Sequence, residues 1–198
     1  MFKFFLIQIS TDAVFPGSEE FPGPYRESDK PNRNEKHINW YGYTKLMAEE
    51  VIRVARNNWA IIRISHPFGD PKSKRDLVSK TIAEISTGHP LFADQYFTPT
   101  YLDDLVEAIL SIQTKHARGI FHVGVTNLVS RIEFDRYLAA KRKMKNKLIE
   151  GSLKEFIQMP RRAPRTRIGG FVTIQTQKKL GVTFHTWQEA LEKTLRLI

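Results

Sequence analysis

Apolar positions along the chain change period in a way that marks out alternating strands and helices. Residues 4 to 10 are almost continuously apolar, which suits a strand covered on both faces. Trp59 to Ile64 repeat that pattern, and Gly119 to Gly124 give a third, shorter strand. Helical spacing predicts a helix from about Trp40 to Arg56, with Met47, Val51 and Val54 as its buried stripe and Glu49 paired with Arg53 outside. A second helix is expected over residues 76 to 87, ending at Gly88. Leu102, Leu105, Val106 and Ile109 mark a third. Ser130 with Glu133, and Thr186 with Glu189, have capping-box spacing and open helices over about 131 to 142 and up to about Leu197. Strand, helix, strand with polar residues at both strand ends is a crossover unit of a parallel sheet. The fold class is therefore α/β, with ligands expected at the carboxyl ends of the strands. Residues 16 to 39 form a long polar connection with Gly17, Pro22, Gly23, Pro24 and Pro31, which we read as bordering the ligand cleft.

Composition narrows the classes. The chain has 198 residues, enough for a substantial core, with 41% hydrophobic residues and no cysteine. A mean hydropathy of -0.38 fits a soluble globular protein with a cytoplasmic default. No apolar run approaches the roughly 20 residues of a membrane span, and the apolar start runs straight into the first strand without a cleavage site. The absence of cysteine excludes disulfides, thiolate metal sites and a cysteine nucleophile. The six histidines are scattered, so no metal site is expected. The net charge of +10 is lopsided: residues 115 to 198 hold 18 basic and 6 acidic side chains. The excess is densest at Lys141–Lys147 and Arg161–Arg167. No nucleic-acid motif accompanies these charges. They read as a solvated face with, at most, weak nonspecific affinity for polyanions.

Tyr41 and Lys45 stand four apart at the front of the first predicted helix, on one face and one turn apart. An ammonium beside a phenol favours phenolate, and a tyrosine tuned that way can exchange a proton near neutral pH. Alone, that spacing is more often a surface tyrosine beside a solvated lysine. Its company changes the weight. Ser10-Thr11-Asp12-Ala13-Val14-Phe15 closes the first strand, and His66-Pro67-Phe68-Gly69 follows the second. Further on comes Asp94-Gln95-Tyr96-Phe97-Thr98-Pro99-Thr100. With its Ser-Thr-Asp-x-Val-Phe and Tyr-Gly-x-Thr-Lys motifs, the chain resembles the extended short-chain dehydrogenase/reductases. Within them it is most similar to the dTDP-4-dehydrorhamnose reductase-like group, over nearly all of its residues.

That resemblance implies a partial Rossmann-like parallel sheet over 1–125, with a small basic substrate-binding part over 126–198. It implies NAD(P)H-dependent reduction of a 4-keto-deoxysugar nucleotide, with NADP or NAD as cofactor. Tyr41 would donate the proton, Lys45 would support it and bind the nicotinamide ribose, and Thr11 would hold the substrate oxygen. Asp12, His66, Phe68, Gln95 and Thr98 would line the substrate, and Pro67 would lie beside the cofactor. Relatives often carry an aromatic where His66 stands, and a loop histidine is more often a hydrogen-bonding wall than a general acid. Other readings are a non-catalytic subunit on the same scaffold, like the methionine adenosyltransferase regulatory subunit, another sugar-nucleotide epimerase or dehydratase, or a nucleic-acid binder. The chain departs from the group in one respect: none of its 11 glycines falls in a Gly-x-x-Gly-x-x-Gly turn of the kind that holds a cofactor pyrophosphate. It is therefore expected to be a fragment or a shortened protein, weak in cofactor binding on its own, with an open apolar sheet edge that favours homo-oligomers.

Overall fold

The structure, a computed structural model, describes residues 5–32, 34, 37–55, 57–145 and 148–198. In chain order the elements are β1 (Leu6–Thr11), α1 (Trp40–Ala55), β2 (Trp59–Ile64), α2 (Leu77–Ser86), β3 (Leu91–Phe92) and β4 (Tyr96–Phe97). Then follow α3 (Leu102–Lys115), β5 (Gly119–His122), β6 (Val129–Ser130), α4 (Arg131–Lys141), β7 (Glu150–Gly151), α5 (Leu153–Gln158), α6 (Ile174–Leu180) and α7 (Trp187–Leu195). Three strands form a parallel sheet in the order β1-β2-β5, with Leu6 opposite Trp59 and Ile62 opposite Phe121. Helix crossovers join them, as parallel pairing requires. β2 lies in the middle, which explains why Ala60, Ile61 and Ile62 are all fully buried.

Both capping boxes form. Ser130 and Glu133 cap α4, and Thr186 and Glu189 cap α7, each exchanging side-chain and backbone hydrogen bonds. Asp76 caps α2 rather than opening it: its carboxylate accepts from the amides of Val78 and Ser79. The predicted ends at Phe4 and Arg56, and Asn146 and Lys147 of the basic run, lie outside the described residues.

One expectation is overturned. The buried face of α1 is Gly42, Leu46 and Glu49, while Val51 and Val54 stand 65% and 89% exposed. Glu49 does not pair with Arg53 outside. It reaches inward to Arg63, the one charged residue of β2, whose side chain is completely buried. The Arg63 guanidinium grips both carboxylate oxygens, at 3.0 and 2.7 Å, and Ser10 Oγ donates to the same carboxylate at 2.5 Å. A buried charge demands such a partner, and that demand outweighs the apolar stripe in setting the helix rotation.

The core has two main parts. Ala60, Ile62 and Phe121 of the sheet pack with Ala108 and Ile112 of α3 and with Leu180 and Phe184. Phe68, Phe97, Phe134 and Trp187 build a second, aromatic cluster from the later elements. Residues 16 to 39 contribute to a third: Tyr25 stacks on Phe15 with ring centres 4.0 Å apart and bridges to Phe171.

Candidate active site

The site begins where α1 meets the end of β1. Thr11 closes the strand and caps a short 3-10 turn at Asp12–Val14, its Oγ1 accepting from the Ala13 amide. The first turn of α1 rests on that turn's backbone. A β-carbon on Gly42 would fall 2.0 Å from the Ala13 carbonyl oxygen, so only glycine permits the approach. Asn39 fixes the same turn, accepting from the Gly42 amide and donating to the Pro164 carbonyl. Lys45 Nζ donates to the Ile9 carbonyl at 3.2 Å and sits 5.9 Å from the centre of the Tyr41 ring. Tyr41 is 56% exposed. Tyr41 and Lys45, in the first turns of α1, thus lie near the end of β1, the strand that Thr11 closes.

Beside them lies a cavity of about 560 Å³. Asp12, His66 and Gln95, all expected at the ligand, line it. Asp12 is buried and fully engaged: its Oδ1 accepts from Thr11 Oγ1 at 3.2 Å and its Oδ2 from Ser65 Oγ at 2.6 Å. Ser65 Oγ also lies 2.9 Å from His66 Nδ1. His66 has a left-handed backbone, with φ of 42°, directly before a proline, and its ring packs on Phe97. Burial holds the His66 pKa below the usual imidazole value. The Asp12 carboxylate opposes that shift, while Arg131, Lys80 and Arg165 reinforce it.

The opposite wall is cationic, and sequence reasoning missed it. Arg131 donates from Nε to both oxygens of Asp135 at 2.8 Å, and from Nη2 to Thr81 and Glu84. Burial raises Asp135 to about 6 against the pull of Arg131. Arg162 and Arg165 reach the same cavity, and both guanidinium groups lie over the Phe156 ring. The dense run around Arg161 read as a solvated face. Its one distinguishing signal was Phe156, an aromatic a few residues upstream.

Phe68, Thr98 and Pro67 are placed elsewhere. Phe68 is completely buried in the aromatic cluster, and Thr98 Oγ1 accepts from the Phe171 amide. Neither residue is among those that line the cavity. Pro67 accepts from the Leu77 amide at the start of α2.

Beyond this geometry, the amino-acid sequence itself matches a known family model. The RmlD substrate binding domain model covers residues 2–198. The chain belongs to this family. The spore coat polysaccharide biosynthesis protein SpsK of Bacillus subtilis is 29% identical over 190 residues, covering 96% of this chain and 63% of that protein. A dTDP-4-dehydrorhamnose reductase of Sinorhizobium fredii is 31% identical over 142 residues, covering 67% of this chain and 45% of its own. Among solved structures, the Bacillus anthracis dTDP-4-dehydrorhamnose reductase in complex with NADP superposes with a TM-score of 0.82 at 27% identity, over 98% of this chain and 66% of that one. The chain therefore spans less than two thirds of these relatives' lengths. As an RmlD-type domain, its α1 contact through Gly42 and the cavity between Asp12 and Arg131 lie wholly within the matched residues.

Proposed function

We propose that this protein acts in NADP(H)-dependent reduction of a 4-keto-deoxysugar nucleotide, as a dTDP-4-dehydrorhamnose reductase-like enzyme. The observation that supports the proposal is the placement of the Tyr41–Lys45 pair of α1 against β1, whose end at Thr11 leads into Asp12 of a cavity that Arg131, Arg162 and Arg165 also line. Residues 1–125 supply the reacting groups, and residues 126–198 supply most of the cationic wall.

The residues present suit a nicotinamide cofactor's ribose. Lys45 has three protons and spends one on the Ile9 carbonyl, so two donors remain beside the exposed Tyr41 phenol. When bound, the cofactor supplies hydride to the keto carbon. Tyr41 gives its proton to the developing alkoxide, and Lys45 stabilises the phenolate left behind. Thr11 Oγ1 turns from Asp12, a long contact at 3.2 Å, to donate to the substrate oxygen. Arg162 and Arg165 attract the diphosphate, which is the chemistry guanidinium groups suit best, while Arg131 is held by Asp135 and Glu84. Pairing between copies along β1, and at most weak, salt-dependent association with nucleic acid, belong to the same proposal. The comparisons give the regulatory-subunit reading no better support.

NADPH consumption with a dTDP-4-keto-6-deoxysugar tests the reading. Tyr41→Phe is expected to lower turnover by about 100- to 10,000-fold, the range for a lost general acid. Calorimetry should find the affinity for the sugar nucleotide nearly unchanged. Wild-type turnover by the Phe variant would remove Tyr41 from the mechanism.

A further inference from the structure

The linkage from Asp12 through Ser65 to His66 fixes more than packing. Ser65 is held rigidly, its amide donating to Thr100 Oγ1 at 3.0 Å and its carbonyl accepting from the Thr100 amide at 2.7 Å. A serine hydroxyl has one proton. Asp12 Oδ2, 2.6 Å away, is an acceptor and takes that proton, so Ser65 Oγ is left to accept from His66. The imidazole proton therefore sits on Nδ1, and Nε2 carries a lone pair. No partner among the described residues meets Nε2, and none of their buried side-chain polar atoms is left unsatisfied. Nε2 is thus the open polar atom that this ring offers to the cavity it lines. The backbone underneath is strained, since φ is positive in a non-glycine residue that precedes proline. The Phe97 ring limits tilting. Strain, packing and a directed hydrogen-bond chain converge on one acceptor.

We propose that His66 is a specificity-determining residue whose Nε2, held as an acceptor by Ser65 and Asp12, receives a hydrogen bond from a hydroxyl of the substrate's sugar. This inference rests on the sugar-nucleotide reading above and goes beyond it in naming the direction of the bond. A sugar whose nearest group is a hydroxyl is favoured. One that presents only an acceptor there, such as a keto oxygen or an ether, is disfavoured, because two lone pairs would face each other. Asp12 and Ser65 act as positioning residues, since they act through His66.

Two measurements on the full chain test this. In ¹⁵N-labelled protein, long-range proton–nitrogen correlation spectra near neutral pH should show His66 with a pyrrole-type Nδ1 and a pyridine-type Nε2. The signal is assigned by its loss in His66→Phe. Ser65→Ala should average the two nitrogens. Calorimetry with dTDP and with dTDP-glucose then isolates what the sugar adds to affinity. His66→Phe is expected to cut that increment by up to about tenfold, the worth of one hydrogen bond, and to leave dTDP itself unaffected. His66→Gln, which restores an acceptor, should recover part of it. A pyrrole-type Nε2, or an unchanged sugar increment alongside normal dTDP binding, would overturn the inference alone. Absence of binding by both dTDP and dTDP-glucose would overturn the functional reading and this inference together.

Discussion

His122 shows how far one side chain's surroundings can move its chemistry. It lies buried at the end of β5, with Nδ1 donating to the Tyr25 carbonyl at 3.1 Å. Its Nε2 faces Arg63 Nη1 at 3.4 Å, so the ring is a neutral acceptor on that side. Burial, then the nearby Arg63 charge, lowers its pKa to about 3. The sign follows from proton counting. Between an unfolded value of about 6.5 and the folded value of about 3, the unfolded chain binds the extra proton. Stability should therefore fall as pH drops from about 6.5 towards 3, by an amount on the order of a few kcal/mol. His122→Asn should flatten that part of the curve relative to wild type. Denaturant melts at several pH values measure the difference, and parallel curves for the two proteins would contradict it. His66 differs from His122 in having its second nitrogen open, which is what makes it available to a ligand.

At the scale of elements, α1 is the part on which the site depends, and two contacts orient it. Gly42 lets its first turn rest on the Ala13 carbonyl, and Glu49, two turns further on, is held by Arg63 and Ser10. Tyr41 and Lys45 lie between or beside these anchors, so their position follows from contacts they do not make themselves. Glu49→Gln would leave the Arg63 charge buried without its carboxylate. Chemical denaturation should show a loss of about 3–5 kcal/mol, the usual cost of breaking one side of a buried pair. Replacing both partners together, with Glu49→Leu and Arg63→Met, should recover much of that loss. If the single variant proved as stable as wild type, the pair would not be the anchor described here. The outer face of the same helix tolerates exposed Val51 and Val54, which accounts for the misplaced stripe.

For the described residues as a whole, the topology leaves β1 at an edge of the sheet. β1 occupies one side of the three-stranded sheet, and among the described residues no strand pairs with its outer side. Leu6 on that strand is 37% exposed. Where this chain stands alone, a parallel edge with apolar side chains tends to recruit another strand. Sedimentation across a concentration series should therefore show reversible self-association, and Leu6→Lys should weaken it, because charge on an edge opposes pairing. A monomer at every concentration would argue against an accessible edge. No helix among the described residues is long and apolar enough to cross a membrane.

What the chain's own order determined was whatever depends on near neighbours. The apolar runs at β1 and β2, the capping boxes at Ser130 and Thr186, and the four-residue spacing of Tyr41 and Lys45 are all written within a turn or a strand. Each reappears in the structure for that reason. The tertiary structure decided what meets across large gaps in the chain. Periodicity identifies that a helix has two faces but not which neighbour lies against either. The inward face of α1 therefore became visible only with Arg63 fourteen residues away. The same limit applies to the cavity, where Asp12, His66 and Arg131 come from three separate stretches of the chain. A basic run looks the same in sequence whether it faces solvent or a pocket, and Arg162 and Arg165 became cavity residues only when the chain carried them back beside Asn39. Direction at a single atom is the last thing to emerge. The Nε2 lone pair of His66 depends on one proton of Ser65, and that proton is placed by Asp12, 53 positions earlier in the chain.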